Sequence, residues 1–142
     1  MTKRILVATD GSELSRRAAQ VAIALAQSLG AAVVGCAAIP VYPYHGFGEA
    51  VPAESTFLAQ AAAAANRQLD HIESEAAAAG VPFSRVLREG HPDDIILQAA
   101  DTEDCDMIVM ASHGRRGVAA LVLGSETQKV LARSHRPVLV VR

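Results

Sequence analysis

Five short apolar runs, separated by four helix-like stretches, constrain this chain more than any other feature. The runs fall at 5–8, 32–39, 83–88, 107–111 and 138–141. Most are continuously apolar, as expected of strands buried on both faces; 83–88 alternates weakly and reads as a short strand near a sheet edge. The order β-α-β-α-β-α-β-α-β predicts a five-stranded, mostly parallel sheet with helices on both faces, an α/β fold of Rossmann-like type. Right-handed crossovers follow. Ligands in such sheets sit beyond the carboxyl ends of the strands, where strand order reverses. If the first and fourth strands are central, Thr9 and Asp10 approach Gly114 and Gly124.

Local signals support the helices. Ser12 is placed to cap the first one. Leu14, Ala18, Val21, Ala22, Leu25 and Leu29 form its expected buried face, and Gly30 is placed to end it in a left-handed conformation. Residues 54–79 read as a long alanine-rich helix with Leu58, Ala61, Ala62, Ala65, Leu69, Ile72 and Ala76 along one stripe. Pro92 suits a first helical turn, and Asp93 and Asp94 complement its dipole. Residues 40–52, with three prolines and two glycines, read as an exposed loop.

A chain of 142 residues fits one domain, 1–142. Its 13 basic and 15 acidic residues leave a net charge of −2, which offers no general attraction for nucleic acid or an anionic membrane surface. No apolar stretch approaches the roughly 20 residues that span a bilayer. Met1-Thr-Lys-Arg runs straight into the first strand, so no signal peptide is expected. Cys36 and Cys105 sit in apolar runs and read as buried free thiols, which favours a cytoplasmic setting; a disulfide between them stays open.

The chemistry concentrates in Met110-Ala-Ser-His-Gly-Arg-Arg-Gly-Val-Ala-Ala-Leu-Val-Leu-Gly-Ser125. Strand, glycine-containing loop and helix start follow one another, which aims backbone N–H groups and a helix dipole at one point and favours a phosphate there. Glycines at 114 and 124 permit unusual backbone angles and close approach. Ser125 is placed as a helix cap, with Gln128 completing a capping box. The alternative is a connecting loop that binds nothing. The segment is not a P-loop, and without a first glycine before Ser112 it is not a nucleophile elbow. Neighbours in a loop commonly diverge, so Ser112 and His113 are not expected to form a catalytic pair. Histidines and cysteines show no zinc spacing. Asp10 reads either as a turn residue bonding the Gly11 and Ser12 amides or as a ligand contact.

Together, Val7-x-x-Asp10-Gly-Ser12, Asp106-Met-Ile-Val-Met-Ala-Ser-His-Gly114, Gly124-Ser125 and Pro137-Val-Leu-Val-Val141 resemble the universal stress protein family over essentially the whole chain. The nucleotide-binding branch of that family carries G-x2-G-x9-G-(S/T). Here the frame is Ala111-x2-Gly114-x9-Gly124-Ser125, with alanine in the first glycine's place. The resemblance implies a stress-response or regulatory module that binds ATP, or ADP or AMP, with Mg2+. It implies that Ala8, Thr9 and Asp10 stand near the adenosine and that Ala38 meets the adenine edge. Met110, Ala111, His113 and Gly114 would line ribose and the first phosphates. Gly124, Ser125, Glu126 and Thr127 would serve the outer phosphates. Glu126 could repel a terminal phosphate; Arg115 and Arg116 would offset that charge, or are simply solvated. The resemblance also points to a homodimer, and an apolar strand Val138–Val141 at an open edge would suit one. With no nucleophile–base–orienter set in view, slow ATP hydrolysis is the most that is expected. The competing reading is a nucleotide-free dimeric interaction module of the same family, contacting an unknown protein partner, which Ala111 favours.

Overall fold

The computed structural model describes residues 1–42, 53–114 and 122–142. Nine elements alternate along them: β1 (Arg4–Ala8), α1 (Glu13–Leu29), β2 (Ala32–Ile39), α2 (Glu54–Ala78), β3 (Phe83–Glu89), α3 (Pro92–Thr102), β4 (Met107–Ala111), α4 (Ser125–Arg133) and β5 (Val138–Val141). All strand pairings are parallel, in the order β3-β2-β1-β4-β5. β1 is central, and the order reverses between it and β4. Most of the expected loop at 40–52, and both Arg115 and Arg116, lie outside the described residues.

Side chains alternate across the sheet, and each set meets its own helices. Ile5, Val7, Val33 and Val109 pack with α1 and the end of α2. Leu6, Val34, Cys36, Ile108 and Met110 pack with α3 and Val130 of α4. Ala37, Ala65 and Leu69 form a smaller cluster under α2. The β1–β4 seam pairs Ile5 with Met107, Leu6 with Ile108 and Val7 with Val109. At its amino end the Asp106 carboxylate accepts the Lys3 and Arg4 amides at 2.6 and 3.0 Å, and these bonds hold its pKa below the ordinary value.

Ser12 caps α1 by accepting the Ser15 amide at 3.1 Å, and Gly30 ends it at φ +67, both as expected. The buried face of α1 is rotated from the expected stripe. Ser15, Ala18, Ala19, Ala22, Ile23 and Ala26 face the sheet, while Val21 and Leu29 are exposed. Small side chains let the helix lie close on the strands, so closeness of approach outweighs hydrophobic bulk. On α2 only Ala65, Leu69, Ile72 and Ala76 of the expected stripe are buried; Leu58, Ala61 and Ala62 are half-exposed.

Cys36 and Cys105 are both buried and free, with no disulfide. Burial pushes the Cys36 thiol up to about 12 and the Cys105 thiol to about 11, so neither is a ready nucleophile. Arg136 does not serve the carboxyl end of α4. It reaches across to Asp101 and to the Cys105 carbonyl, tying the strand after it to the end of α3.

Leu69 is fully buried beneath α2. Leu69→Ala is expected to lower unfolding free energy by about 3 kcal/mol, from lost burial plus a cavity. Urea unfolding checks this; a loss under about 1 kcal/mol would show that α2 collapses into the gap.

Candidate functional site

At the carboxyl end of the β1–β4 seam, two turns meet. After β1, the Thr9 amide bonds the Cys36 carbonyl at 2.9 Å and ends the strand pairing. The chain then turns through Gly11 at φ +80, which disfavours any side chain there. The Ser12 amide donates to Asp10 Oδ1 at 2.9 Å, one of the two bonds expected of a turn aspartate. The Gly11 amide goes instead to Thr9 Oγ1 at 3.2 Å, and the same hydroxyl contacts Ser15 Oγ at 3.2 Å. Thr9 is therefore spent on the turn, whereas the Asp10 side chain lies at the surface.

After β4, the Ser112 amide donates to the Val141 carbonyl at 2.8 Å. The Ser112 carbonyl accepts the Gly124 amide at 2.7 Å, which pins the start of α4 back onto the end of β4. Thr127 is buried and donates its hydroxyl to the Ala111 carbonyl at 2.9 Å. These two bonds hold the start of α4 against the end of β4.

Gly114 and Gly124 earn their places by closeness, and neither takes a left-handed backbone. A Cβ on Gly114 would stand 2.3 Å from Asp10 Oδ2, so the absent side chain is what admits the carboxylate. A Cβ on Gly124 would stand 3.2 Å from the His113 Cα and 3.4 Å from the Ser112 oxygen. Ala111 lies inside β4 without a positive φ, so the alanine in the family motif's first position introduces no backbone strain.

The helix cap differs from expectation. Gly124, at φ −61 and ψ 153, is the N-cap of α4, and Ser125 is its first helical residue. The proposed Ser125–Gln128 capping box is absent, and Gln128 donates its side-chain amide to the Leu123 carbonyl at 2.7 Å. The reason is the Ser112–Gly124 bond, which starts the helix one residue early. With a glycine cap, the first-turn amides of Ser125, Glu126 and Thr127 take no side-chain acceptor among the described residues. The positive end of α4 therefore stands uncapped beside the carboxyl end of β4.

Glu126 turns away from that end. Its carboxylate accepts the Asp93 amide at 3.1 Å, at the start of α3, and contacts Lys129 at 3.4 Å. It thus serves the neighbouring helix. Asp93, nearly buried, pairs with Arg133 at 2.6 Å, and Arg133 also holds Asp94 at 2.8 Å. Burial alone would raise the Asp93 pKa. Hydrogen bonding to Glu126 and Arg133, the Lys129 charge and the Asp93 amide outweigh it and hold the carboxyl below its ordinary value.

The remaining candidates sit around the same crevice. Ala8 is half-buried at the end of β1, in register with Cys36; Ala38 lies two residues farther along β2, level with the Asp10 turn. The Met110 side chain belongs to the core beneath the site. Contrary to expectation, Ser112 Oγ and His113 Nδ1 do meet, at 3.2 Å. The bond fixes the half-buried imidazole over the Gly124 contact; among the described residues no carboxylate orients its other face. Among the described residues, too, no group of three or more His, Cys, Asp or Glu side chains could hold a metal ion. Sequence reasoning missed the Ser112 carbonyl and the Glu126–Asp93 link. Neither leaves a signature, one being main chain and the other a contact between distant helices.

The strand order and the crevice at its reversal define a Rossmann-like α/β domain. The model of the universal stress protein family matches residues 1–142, and the chain belongs to that family. It is 41% identical, over the full length of both chains, to the universal stress protein of the QAH/OAS sulfhydrylase 3′ region of Thermus aquaticus. Among solved structures it is similar to the protein MJ0577 of Methanocaldococcus jannaschii, with 28% identity, a TM-score of 0.86, and 99% of this chain and 96% of that one covered. It is also similar to a universal stress protein in complex with cAMP, with 27% identity, a TM-score of 0.73, and 99% and 97% covered.

The depressed Asp93 pKa carries a sign. A carboxyl held lower in the folded state than in the unfolded one stabilises the fold at pH above its ordinary value, and that contribution fades as pH falls through the folded pKa. Asp93→Asn is expected to lower Tm by roughly 3–6 °C near neutral pH, with the gap to the parent shrinking below about pH 4. Melting curves across pH check this; a gap independent of pH would assign the loss to packing.

Proposed function

We propose that the crevice binds an adenine nucleotide, ATP foremost, and that this family member acts as a nucleotide-linked stress-response or regulatory module. One observation carries the reading: α4 presents uncapped first-turn amides toward a crevice from which side chains have been removed at Gly114 and Gly124. Such a helix end favours phosphate oxygens. The amides of Ser125, Glu126 and Thr127 serve the outer phosphates. His113 and Gly114 line the first phosphates and the ribose, with Met110 and Ala111 contributing main chain. Asp10 faces the ribose side, Ala8 and Thr9 shape that wall through their backbone, and the main chain near Ala38 borders the adenine. Arg115 and Arg116, between Gly114 and Gly124 in the sequence, belong to this reading by sequence position alone. Asp10 would be the carboxylate near a Mg2+ ion arriving with the phosphates, and the ion would neutralise phosphate charge. The complex of a related universal stress protein with cAMP supports a nucleotide of this class.

Titration calorimetry with Mg-ATP tests the reading. Saturable heat is expected, and Gly124→Val should weaken binding by at least about tenfold because its side chain meets the His113 backbone. Absence of heat at millimolar nucleotide would leave the nucleotide-free interaction module as the better account. Unchanged affinity in Gly124→Val would displace the nucleotide from this crevice.

The second element of the proposal is a homodimer through β5. This strand ends the sheet, pairs on one side only, and exposes Leu139. An unpaired apolar edge favours a two-fold related partner strand. Light scattering on the intact protein is expected to give twice the chain mass, and Leu139→Lys to shift it toward the monomer. A monomeric parent protein would end this part of the proposal. Two free thiols and the family's small α/β form support a cytoplasmic setting; among the described residues no helix is long and apolar enough to cross a membrane.

A further inference from the structure

α1 and α2 lie side by side on one sheet face without closing along their whole length. Near the end of α2 they are fastened: Gln27 donates to the Ala79 carbonyl at 3.0 Å, and Ile23, Ile72 and Ala76 share the core. Toward the carboxyl ends of the strands, Ala19 and Ala64 line the space between them, and neither can fill it. A cavity of about 340 Å³ results. That volume lies at the small end of the range for small-molecule sites.

Its chemistry is lopsided. Arg16, Arg67, Gln68 and His71 line it, with Glu75 as the sole carboxylate among the lining residues. Glu75 is already engaged by His71 Nε2 at 3.1 Å. Arg4, Arg85, Arg133 and Arg136 each hold a protein acceptor, whereas Arg16 and Arg67, like Arg17 and Arg88, have no ion-pair partner among the described residues. Two guanidinium groups without ion-pair partners line one cavity, and an oxyanion with several acceptor oxygens would give both of them charge-assisted hydrogen bonds. Gln68 adds an amide donor.

We propose that this α1–α2 cavity is a second binding site, for a small, multiply charged oxyanion held by Arg16 and Arg67. It is separate from the α4 crevice and does not depend on nucleotide binding there. The two share a wall, because Thr9 and Gly11 line the cavity and also form the turn that carries Asp10.

Two-dimensional NMR of the intact, isotope-labelled protein tests the proposal, with 3-phosphoglycerate and citrate as separate probes. Saturable low-millimolar shifts are expected at the Gly11, Ala64 and Gln68 amides and the Arg16 and Arg67 side chains. Arg16→Gln combined with Arg67→Gln, both exposed positions, should weaken binding by about tenfold or more. Gly124→Val should leave these shifts intact even if it abolishes nucleotide binding. A response to 3-phosphoglycerate alone identifies a phosphate ester; a response to citrate alone identifies a polycarboxylate. No saturable shift with either probe, or shifts unchanged in the double variant, overturns the proposal.

Discussion

Between β1 and β4 the sheet reverses the direction in which it was built, and the crevice at that seam takes its shape from main chain. The parallel pairing of Ile5, Leu6 and Val7 with Met107, Ile108 and Val109 brings two turns, about a hundred residues apart in sequence, within contact. The Asp106 carboxylate fastens the seam at one end. At the other, the Ser112 carbonyl draws Gly124 back onto the strand. Shift that register and the Asp10 carboxylate no longer lies against Gly114, nor α4 against the end of β4.

The helix ends around the crevice have different fates, and the differences are physical. α1 caps itself through Ser12. α3 begins on a backbone without a side-chain cap of its own and borrows the Glu126 carboxylate from α4. α4 lends that carboxylate away and begins on glycine, without a side-chain cap. An ion pair between the buried Asp93 and the exposed Arg133 ties the two helices together while this exchange is in place.

Much of the fold was legible because it rests on short-range patterns. Continuous apolar runs marked four of the strands and weak alternation the fifth, Ser12 and Gly30 marked the ends of α1, and Pro92 marked the start of α3. The candidate crevice was legible too, from the spacing of Gly114 and Gly124 and the position of Asp10. What escaped was decided by contacts between distant elements. Ser125 carries a good capping side chain, yet Gly124 is the cap because a carbonyl on β4 anchors it. Val21 and Leu29 suit a buried stripe, yet the sheet accepts the alanine face of α1 at closer range. Glu126 reads as a charge beside a phosphate until α3 is seen to receive it.

The sequence by itself determined the alternation of strands and helices, the parallel sheet, and the glycines that keep two turns free of side chains, since these follow from periodicity and from the conformational range of single residues. Only the tertiary structure decided why those glycines matter, where each carboxylate is spent, and that two arginines from different helices face one cavity. Those outcomes depend on distances between groups remote along the chain, and such distances exist only once the sheet has fixed every element in register.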